Sequence, residues 1–210
     1  ETNDGLETLP KNIDVLVQQI DKAAQVFWSD PGRHKTGRLN LRKARYEICN
    51  NGIGLDGQFD DDIRWAIADK CGQLMSDKTT LYPDAISTLN KLRHNKVKLA
   101  LVTNGTSTAQ RKKINKFDLE NHFDHIQVEG EAGIGKPELG AYKKALTALD
   151  VKASETWMVG DNLEWEVIAP QKLGIFSIWR DPQGDGTLPK NTTAKPDMII
   201  TKLSELVTGF

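Results

Sequence analysis

The first 80 residues place their apolar side chains at a helical spacing. Between Lys11 and Trp28, apolar residues recur every three or four positions, as Ile13, Leu16, Val17, Ile20, Ala24 and Phe27. This is the period of an amphipathic helix, and Asp30-Pro31-Gly32 is expected to end it. Further helices are predicted from about Leu39 to Cys49, followed by a turn at Asn50-Asn51-Gly52, and from about Phe59 to Met75.

From residue 81 onward, short apolar runs alternate with helical segments. Strands are predicted at Val97–Val102, His125–Val128, Thr156–Val159, Ile175–Trp179 and Met198–Ile200. Helices are predicted at Ala85–His94, Thr108–Phe117, Leu139–Leu149, Leu163–Leu173 and Leu203–Val207. Such alternation implies a parallel sheet with helices on both faces. We therefore predict an α/β fold, a three-layer doubly wound parallel sheet, preceded by an all-helical module.

An apolar run that ends in Gly-Asp is the most informative local pattern. Trp157 to Val159 is followed by Gly160-Asp161, and Glu166 lies five residues after Asp161. A buried parallel strand of this kind delivers a carboxylate to its C-terminal end, which is the edge where open α/β sheets bind ligands. Magnesium prefers oxygen ligands, usually one or two carboxylates completed by water and phosphate. Taken alone, Asp161 could equally cap the helix that follows it.

Two further segments carry polar groups that fit the same kind of site. The run Val97–Val102 leads into Thr103-Asn104-Gly105, a loop of hydroxyl and amide groups, and Gly135-Lys136-Pro137 places a lysine before a helix. Singly, the first is compatible with an ordinary strand-ending turn and the second with a solvated lysine. In chain order, however, the sequence offers a hydroxyl and amide loop, then a lysine, then a carboxylate loop.

This order resembles the haloacid dehalogenase-like (HAD) hydrolase superfamily, whose members are mostly magnesium-dependent phosphatases. The second motif of that superfamily is a strand ending in Thr or Ser, as at Thr103, and its third is a lysine, as at Lys136. Its fourth is Gly-Asp with a second acid a few residues later, as at Asp161 and Glu166, although Asp is commoner than Glu at the last position. The resemblance implies a Rossmann-like core, and it extends from about Leu81 to the C-terminus.

The resemblance also implies a role for each of these residues. The expected catalytic residues are Thr103 and Lys136, the expected phosphate-binding residues are Thr103, Asn104 and Gly105, and the expected Mg²⁺-binding residues are Asp161, Asn162 and Glu166. Thr103 and the backbone N–H groups after it would bind the transferred phosphoryl group. Lys136 would offset the negative charge there. Asp161 would bind Mg²⁺ directly, and Glu166 would bind it through water or orient Lys136.

The first motif of the superfamily, Asp-x-Asp-x-Thr, is not found in the sequence. In the family, its first Asp is the nucleophile, and its strand lies centrally between those carrying the second and fourth motifs. Glu1-Thr2 could be the last two residues of that motif, whereas Asp4 follows no apolar strand. We therefore expect about ten further residues upstream, a strand and two aspartates. Residues 1–80 would be the helical cap after this strand, and residues 81–210 the α/β core.

The composition narrows the range of partners. The chain has 210 residues, is 38% hydrophobic and has a formal net charge of −1, which does not indicate nucleic acid or membrane binding. No apolar run approaches the length of a membrane span, about 18 residues. Cys49 and Cys71 lie far apart in the sequence, without metal-ligand spacing, and suit packed thiols in a reducing cytoplasm. We expect a cytoplasmic monomer or homodimer with a small phosphorylated substrate.

Alternatives remain for the function and for one charged cluster. A non-catalytic phosphate- or protein-binding relative without the nucleophile, or a 2-haloacid dehalogenase, which needs no metal, would be compatible with parts of the pattern. The Gly160-Asp161 pair argues against the dehalogenase. A basic cluster in the first 80 residues could bind an anionic substrate, but a solvated helix face is favoured. Its members are Arg33, His34, Lys35, Arg38, Arg42, Lys43 and Arg45.

Overall fold

The computed structural model describes residues 13–54 and 60–208. The chain divides into two compact units, Glu1–Thr79 and Thr80–Phe210. That the first unit is a cap inserted into the second stays a prediction. The expected helix starts at Lys11 and Phe59, the side chains of Ile13 and Leu16, and the first-motif candidates Glu1, Thr2 and Asp4 lie outside the described residues.

The first unit is helical throughout its described part. Its helices are α1 (Ile13–Ser29), α2 (Pro31–Gly37), α3 (Leu41–Ile53) and α4 (Asp61–Lys78). Phe27 of α1 packs on Ala44 and Ile48 of α3 to form a buried apolar cluster. The helical spacing of the apolar residues in α1 therefore faces α3, as an amphipathic helix requires.

Of two local predictions for this unit, one is confirmed and one is wrong. Asp30-Pro31-Gly32 ends α1 as predicted, and it also starts α2, because the Asp30 carboxylate accepts the Arg33 N–H at 2.7 Å and caps the new helix. The predicted turn at Asn50-Asn51-Gly52 is helical, and α3 ends only at Gly54, whose φ of 68° suits glycine. Gly52 allows close packing on α1, since a Cβ there would lie 2.8 Å from the Ile20 Cα.

Small residues let α3 and α4 approach closely. Ala68 and Gly72, one turn apart on α4, are buried, and a Cβ at Gly72 would lie 2.5 Å from the Arg45 guanidinium. The same approach brings the Sγ atoms of Cys49 and Cys71 to 3.7 Å, although both thiols are free. The two cysteines are thus neighbours in space in spite of their separation in sequence.

The basic cluster does not form a single solvated face. Arg38 is buried, with 8% of its surface exposed, and Arg45 lies against Gly72. Arg42 is exposed, where it makes two hydrogen bonds to Asp69 and stacks over the Trp65 ring at 4.5 Å. The contacts of Arg42 and Arg45 tie α3 to α4, and a role of the cluster in substrate binding stays a hypothesis.

The second unit alternates strands and helices, as the sequence predicts. Its strands are β1 (Ala100–Thr103), β2 (His125–Val128), β3 (Trp157–Gly160), β4 (Phe176–Arg180) and β5 (Met198–Ile200). Its α-helices are α5 (Ala85–His94), α6 (Ser107–Lys116), α7 (Glu129–Ala132), α8 (Leu139–Leu149) and α9 (Ala169–Gln171). A π-helix covers Leu163–Ile168, and 3₁₀ turns cover Glu120–His122, Ala153–Glu155 and Leu203–Val207.

All strand pairs are parallel, but the described strands form two sheets. One contains β1 and β2, and the other has the order β3-β4-β5. On β4, Ile178 packs on one face against Leu206, and Trp179 packs on the other against Val167. Both faces of this sheet are therefore covered, which is the layered α/β architecture that was predicted.

Helix α8 contacts elements of both sheets. Its Ala141 carbonyl accepts a hydrogen bond from Gln127 of β2 at 3.0 Å, while its Tyr142 packs on Ala169 and Ile175 beside the second sheet. The strands β1 and β3, by contrast, are each paired along one edge only within the described chain. Both are only partly buried, whereas Ser177, Ile178 and Trp179 in the middle of β4 are buried.

Several boundaries in this unit differ from the predictions. Strand β1 begins at Ala100 instead of Val97, because pairing starts only where β2 runs alongside it. The helix predicted at Leu163–Leu173 is a π-helix followed by the single turn α9. The short helix α7 was not predicted. In the part of the chain that the model covers, every helix is too short or too polar to span a bilayer.

The thiol pair gives a first testable prediction. Burial, and next the neighbouring Cys71, raise the pKa of the Cys49 thiol to about 12, so almost none of it is thiolate at neutral pH. We expect iodoacetamide to alkylate the partly exposed Cys71 in the native protein and Cys49 only after denaturation, as peptide mass mapping would record. In Cys71→Ser, rapid labelling should disappear. Labelling of native Cys49 as fast as Cys71 would contradict this.

Candidate active site

A buried ion pair joins the lysine loop to the carboxylate loop. The Lys136 amine lies 2.6 Å from Glu166 Oε1, and the two side chains are only 11% and 4% exposed. Lys136 lies in the segment between α7 and α8, and Glu166 lies in the π-helix after β3. A buried pair of this kind does little for stability, because both charges lose their water. Its position at the C-terminal end of β3 is that of a ligand site.

The loop after β1 holds the backbone of Lys136. The Asn104 side chain accepts the Lys136 N–H at 2.8 Å and donates to the Lys136 carbonyl at 2.6 Å. Both polar atoms of the amide are therefore engaged in fixing the lysine, whose peptide bond to Pro137 is cis. Thr103, directly before Asn104, ends β1, and its hydroxyl makes no hydrogen bond within the described chain.

The Gly105 N–H is already bonded to Glu129, an acid that lies outside the predicted motifs. The Gly105 N–H donates to Glu129 Oε2 at 2.9 Å, and the Gly105 carbonyl accepts the Gly130 N–H at 3.0 Å. Gly105 has a φ of 113°, which strongly favours glycine. The expected phosphate donor at Gly105 is thus engaged in this structure.

A π-helix directs Glu166 toward Lys136. The Glu166 carboxylate accepts the Asn162 N–H at 2.9 Å through its second oxygen, and a Cβ at Gly160 would overlap the Glu166 side chain. Asn162 is the N-cap, since its side-chain oxygen accepts the N–H groups of Glu164 and Trp165. Glu166 thus has both oxygens occupied, which matches the predicted role of orienting Lys136 better than metal coordination.

Tyr142 replaces a hydrogen bond that this π-helix lacks. The Ala169 N–H bonds back to the Glu164 carbonyl, so the Trp165 carbonyl would next need the N–H of residue 170. Residue 170 is proline and has no N–H. The Tyr142 hydroxyl from α8 donates to the Trp165 carbonyl instead, at 2.6 Å. The packing of α8 therefore supports the turn that positions Glu166.

Asp161 is the one predicted metal ligand whose carboxylate is open. It is exposed at the end of β3, and its carboxylate makes no hydrogen bond within the described residues, while its carbonyl accepts the Trp179 indole N–H at 2.9 Å. Among those residues, no cluster of three or more His, Cys, Asp or Glu side chains could hold a metal. Asp161 alone fits Mg²⁺ that takes its other ligands from water, phosphate and a further carboxylate.

Burial opposes the ionisation of Glu166, whereas the charge of Lys136 favours it. Burial raises the pKa of the Glu166 carboxyl, the charge and hydrogen bond of Lys136 act against that rise, and the charge of Asp161 adds to it. Two acids near one lysine leave the negative charge incompletely balanced. A cation beside Asp161 would restore the balance.

Comparison with known proteins identifies the family. A model of the haloacid dehalogenase-like hydrolase family matches residues 54–180, more than half of the chain and all the residues of this site. The chain belongs to this family. The resemblance inferred from three short motifs is thereby confirmed, together with the α/β class of the HAD fold.

One HAD relative by sequence is the phosphoserine phosphatase of Thermus thermophilus, which is 36% identical over 126 residues. The match covers 60% of this chain and 49% of the relative. The chain therefore spans about half the length of that relative.

HAD proteins of known structure share the fold. The HAD-hydrolase YfnB of Bacillus subtilis, bound to magnesium, superposes with a TM-score of 0.74 at 21% identity, over 95% of this chain and 84% of that chain. The 2-haloacid dehalogenase of Pseudomonas syringae superposes with a TM-score of 0.58 at 22% identity, over 97% and 83%. At these identities the likeness shows the fold alone and does not distinguish a phosphatase from a dehalogenase.

Two residues of the HAD site went unrecognised in the sequence. Glu129 follows directly on the buried end of β2, just as Asp161 follows β3, so an acid at a strand end was the available signal. Tyr142 gave no signal, because its role depends on a contact between α8 and a turn more than twenty residues later.

The tyrosine contact gives a second prediction. In Tyr142→Phe, the half-buried Trp165 carbonyl loses this donor, and the loss of a hydrogen bond at such a site costs about 1–1.5 kcal/mol. We expect urea denaturation to show a loss of this size in the free energy of unfolding. The matched control is Tyr46→Phe, whose hydroxyl bonds Asp61 at an exposed site, and we expect it to lose less than about 1 kcal/mol. Equal losses in the two variants would contradict the prediction.

Proposed function

We propose that this HAD protein is a magnesium-dependent phosphatase that hydrolyses a small phosphorylated metabolite through an aspartyl-phosphate intermediate. The observation that carries the proposal is the chain of contacts from the loop after Thr103 through Lys136 to the carboxylates after β3. A lysine is then joined by hydrogen bonds to the loop after β1, where a free hydroxyl ends the strand, and to the turn after β3, which carries an open carboxylate. Positioned charge of this kind is what phosphoryl transfer requires.

In this proposal, Thr103 and Lys136 act on the phosphoryl group. The Thr103 hydroxyl is free to donate to a phosphoryl oxygen. The Lys136 amine, fixed by Asn104 at its backbone and by Glu166 at its tip, supplies a point charge near the same position. Since both ends of the lysine are held, little reorganisation is needed when charge develops in the transition state.

Asp161 is the proposed protein ligand to Mg²⁺, with Asn162 and Glu166 in supporting roles. When bound, Mg²⁺ would stabilise negative charge on the phosphoryl oxygens and on the nucleophile. Asn162 and Glu166 stabilise the turn through the hydrogen bond between them. The backbone of Asp161 is positioned by the end of β3 and by the Trp179 indole, which donates to its carbonyl. Orienting groups of this kind are important for metal affinity.

The nucleophile would come from an additional strand outside the described residues. The division into two sheets supports this, because β1 and β3 each keep one edge unpaired within the described residues, while their C-terminal ends are joined through Asn104, Lys136 and Glu166. Unpaired backbone groups within a sheet are costly. A parallel strand between β1 and β3 would satisfy both edges and deliver an aspartate beside Thr103 and Asp161.

Two other functions are separable from this one. A 2-haloacid dehalogenase would use an aspartate nucleophile without metal, and Asp161 would then have no ligand to bind. A non-catalytic relative would bind phosphate without turnover. Hydrolysis of p-nitrophenyl phosphate that stops in EDTA and returns with Mg²⁺ supports the phosphatase, whereas EDTA-resistant turnover of 2-chloropropionate would replace it with the dehalogenase.

The third prediction concerns Asp161. In Asp161→Asn, the negative charge that holds the cation is lost, so we expect kcat/KM for p-nitrophenyl phosphate to fall about 100-fold or more. We also expect Mg²⁺ to raise the Tm of the unaltered protein but not that of the variant. Glu164→Gln is the control, because Glu164 is an exposed acid three residues away. Unchanged activity and Mg²⁺ response in Asp161→Asn would refute the metal assignment.

The fourth prediction concerns the additional strand. We expect the amides of β1 and β3 that lack a partner within the described residues to exchange hydrogen slowly in active protein, within about tenfold of the amides of β4, because the additional strand would pair them. Amides of β4, paired on both sides, are the internal reference. Exchange of these β1 and β3 amides that is much more than tenfold faster than that of β4, in protein that hydrolyses p-nitrophenyl phosphate, would rule out the strand.

A further inference from the structure

Two free thiols lie in contact between α3 and α4 of the first unit. The Cys49 Sγ is 3.7 Å from the Cys71 Sγ, and both cysteines are reduced. The sulfur atoms of a disulfide are about 2.05 Å apart. Rotation of one side chain between staggered rotamers moves its sulfur atom by more than the remaining gap. The two thiols are therefore within reach of a covalent bond.

Helix packing holds the two thiols together. Ala68 and Gly72 are buried on the face of α4 that also carries Cys71, since residues three and four apart share a helix face. A Cβ at Gly72 would lie 2.5 Å from the Arg45 guanidinium, and Arg45 shares a face of α3 with Cys49, four residues later. The thiols thus lie at the packed interface of the two helices, where small residues allow a close approach.

The two thiols differ in their access to solvent. Cys49 is buried, and its burial and the neighbouring Cys71 raise the pKa of its thiol, whereas the charge of Arg45 lowers it. Cys71 is partly exposed. Because an oxidant arrives from solvent, Cys71 is the thiol that reacts first. Once Cys71 is oxidised, its thiol no longer opposes the ionisation of Cys49, which then becomes the attacking group.

We propose that Cys49 and Cys71 form a reversible disulfide that joins α3 to α4 when the protein is exposed to hydrogen peroxide. The Cys71 sulfur attacks one peroxide oxygen, the O–O bond breaks, and a sulfenic acid and one water form. The Cys49 sulfur then attacks the sulfenic sulfur and displaces its oxygen as a second water. The two thiol protons end in the two waters, and two electrons pass from the thiols to the peroxide. A reducing thiol such as glutathione reverses the bond by exchange.

The cross-link changes the stability of the first unit. It closes a loop that contains the end of α3 and the first part of α4, so the unfolded chain loses conformational freedom and the folded state is favoured. The oxidised protein is therefore the more stable form. The cross-link concerns the first unit alone and does not depend on the proposed phosphatase function.

The test treats the native, unaltered protein with an equimolar amount of hydrogen peroxide and maps its peptides by mass. We expect the peptides of Cys49 and Cys71 to be joined within one chain and to separate again in dithiothreitol. The Tm of the oxidised protein should exceed that of the reduced protein by about 5 °C or more. In the control Cys71→Ser, peroxide should leave the Tm unchanged. In Cys49→Ser, the Cys71 sulfenic acid should persist and react with dimedone.

Three results would overturn the proposal. They are peroxide-treated protein with both thiols still free, Cys71 oxidised or linked to a second chain without a bond to Cys49, and a cross-linked protein whose Tm does not rise. If a serine variant does not fold, the peptide map and the Tm of the unaltered protein decide. None of these measurements uses phosphatase turnover, so the failure of either proposal leaves the other intact.

Discussion

The candidate site depends on the burial of one lysine against one glutamate. Lys136 and Glu166 come from different loops, and neither charge could be buried without the other. The pair therefore fixes the distance between the segment before α8 and the turn after β3. The asparagines of the site are attached to this pair, since Asn104 holds the lysine and Asn162 holds the glutamate. A lysine held in this way keeps its charge at a fixed position, as the active site of a hydrolase requires.

The second constraint is the close approach of backbone segments that have no side chains between them. Gly135 and Gly160 each lie where a larger residue would displace an acid, and the Gly105 N–H donates directly to Glu129. Three loops can consequently meet within hydrogen-bonding distance at one edge of the fold. The carboxylates of Glu129, Asp161 and Glu166 lie in these loops or beside them. A divalent cation at Asp161 is part of the proposed function.

Much of the fold followed from local pattern, and the exceptions have a common cause. The bounds of β2, α8 and β5 agree with the predictions because apolar periodicity alone defines them. Strand β1 is shorter than its apolar run, since its extent is set by the partner strand. The extension of α3 through Asn50-Asn51-Gly52 depends on packing against α1, which overrides the turn propensity of these residues. The motif residues could be predicted from the order of short segments that follow apolar runs or precede a helix. Glu129 offered only the signal of an acid at a strand end, and Tyr142 acts through a tertiary contact that no short pattern encodes.

The π-helix between Asn162 and Ala169 has a consequence for the comparison of homologues. A π-turn is in effect an α-turn with one residue added, and each residue of an α-helix advances the chain by about 100° around its axis. A homologue with one residue fewer between Asp161 and Pro170 would form a regular turn, and a different side chain would occupy the place of Glu166. An alignment that ignores this insertion would match the wrong acid, so the spacing from the aspartate to the proline identifies which homologues share this lysine partner.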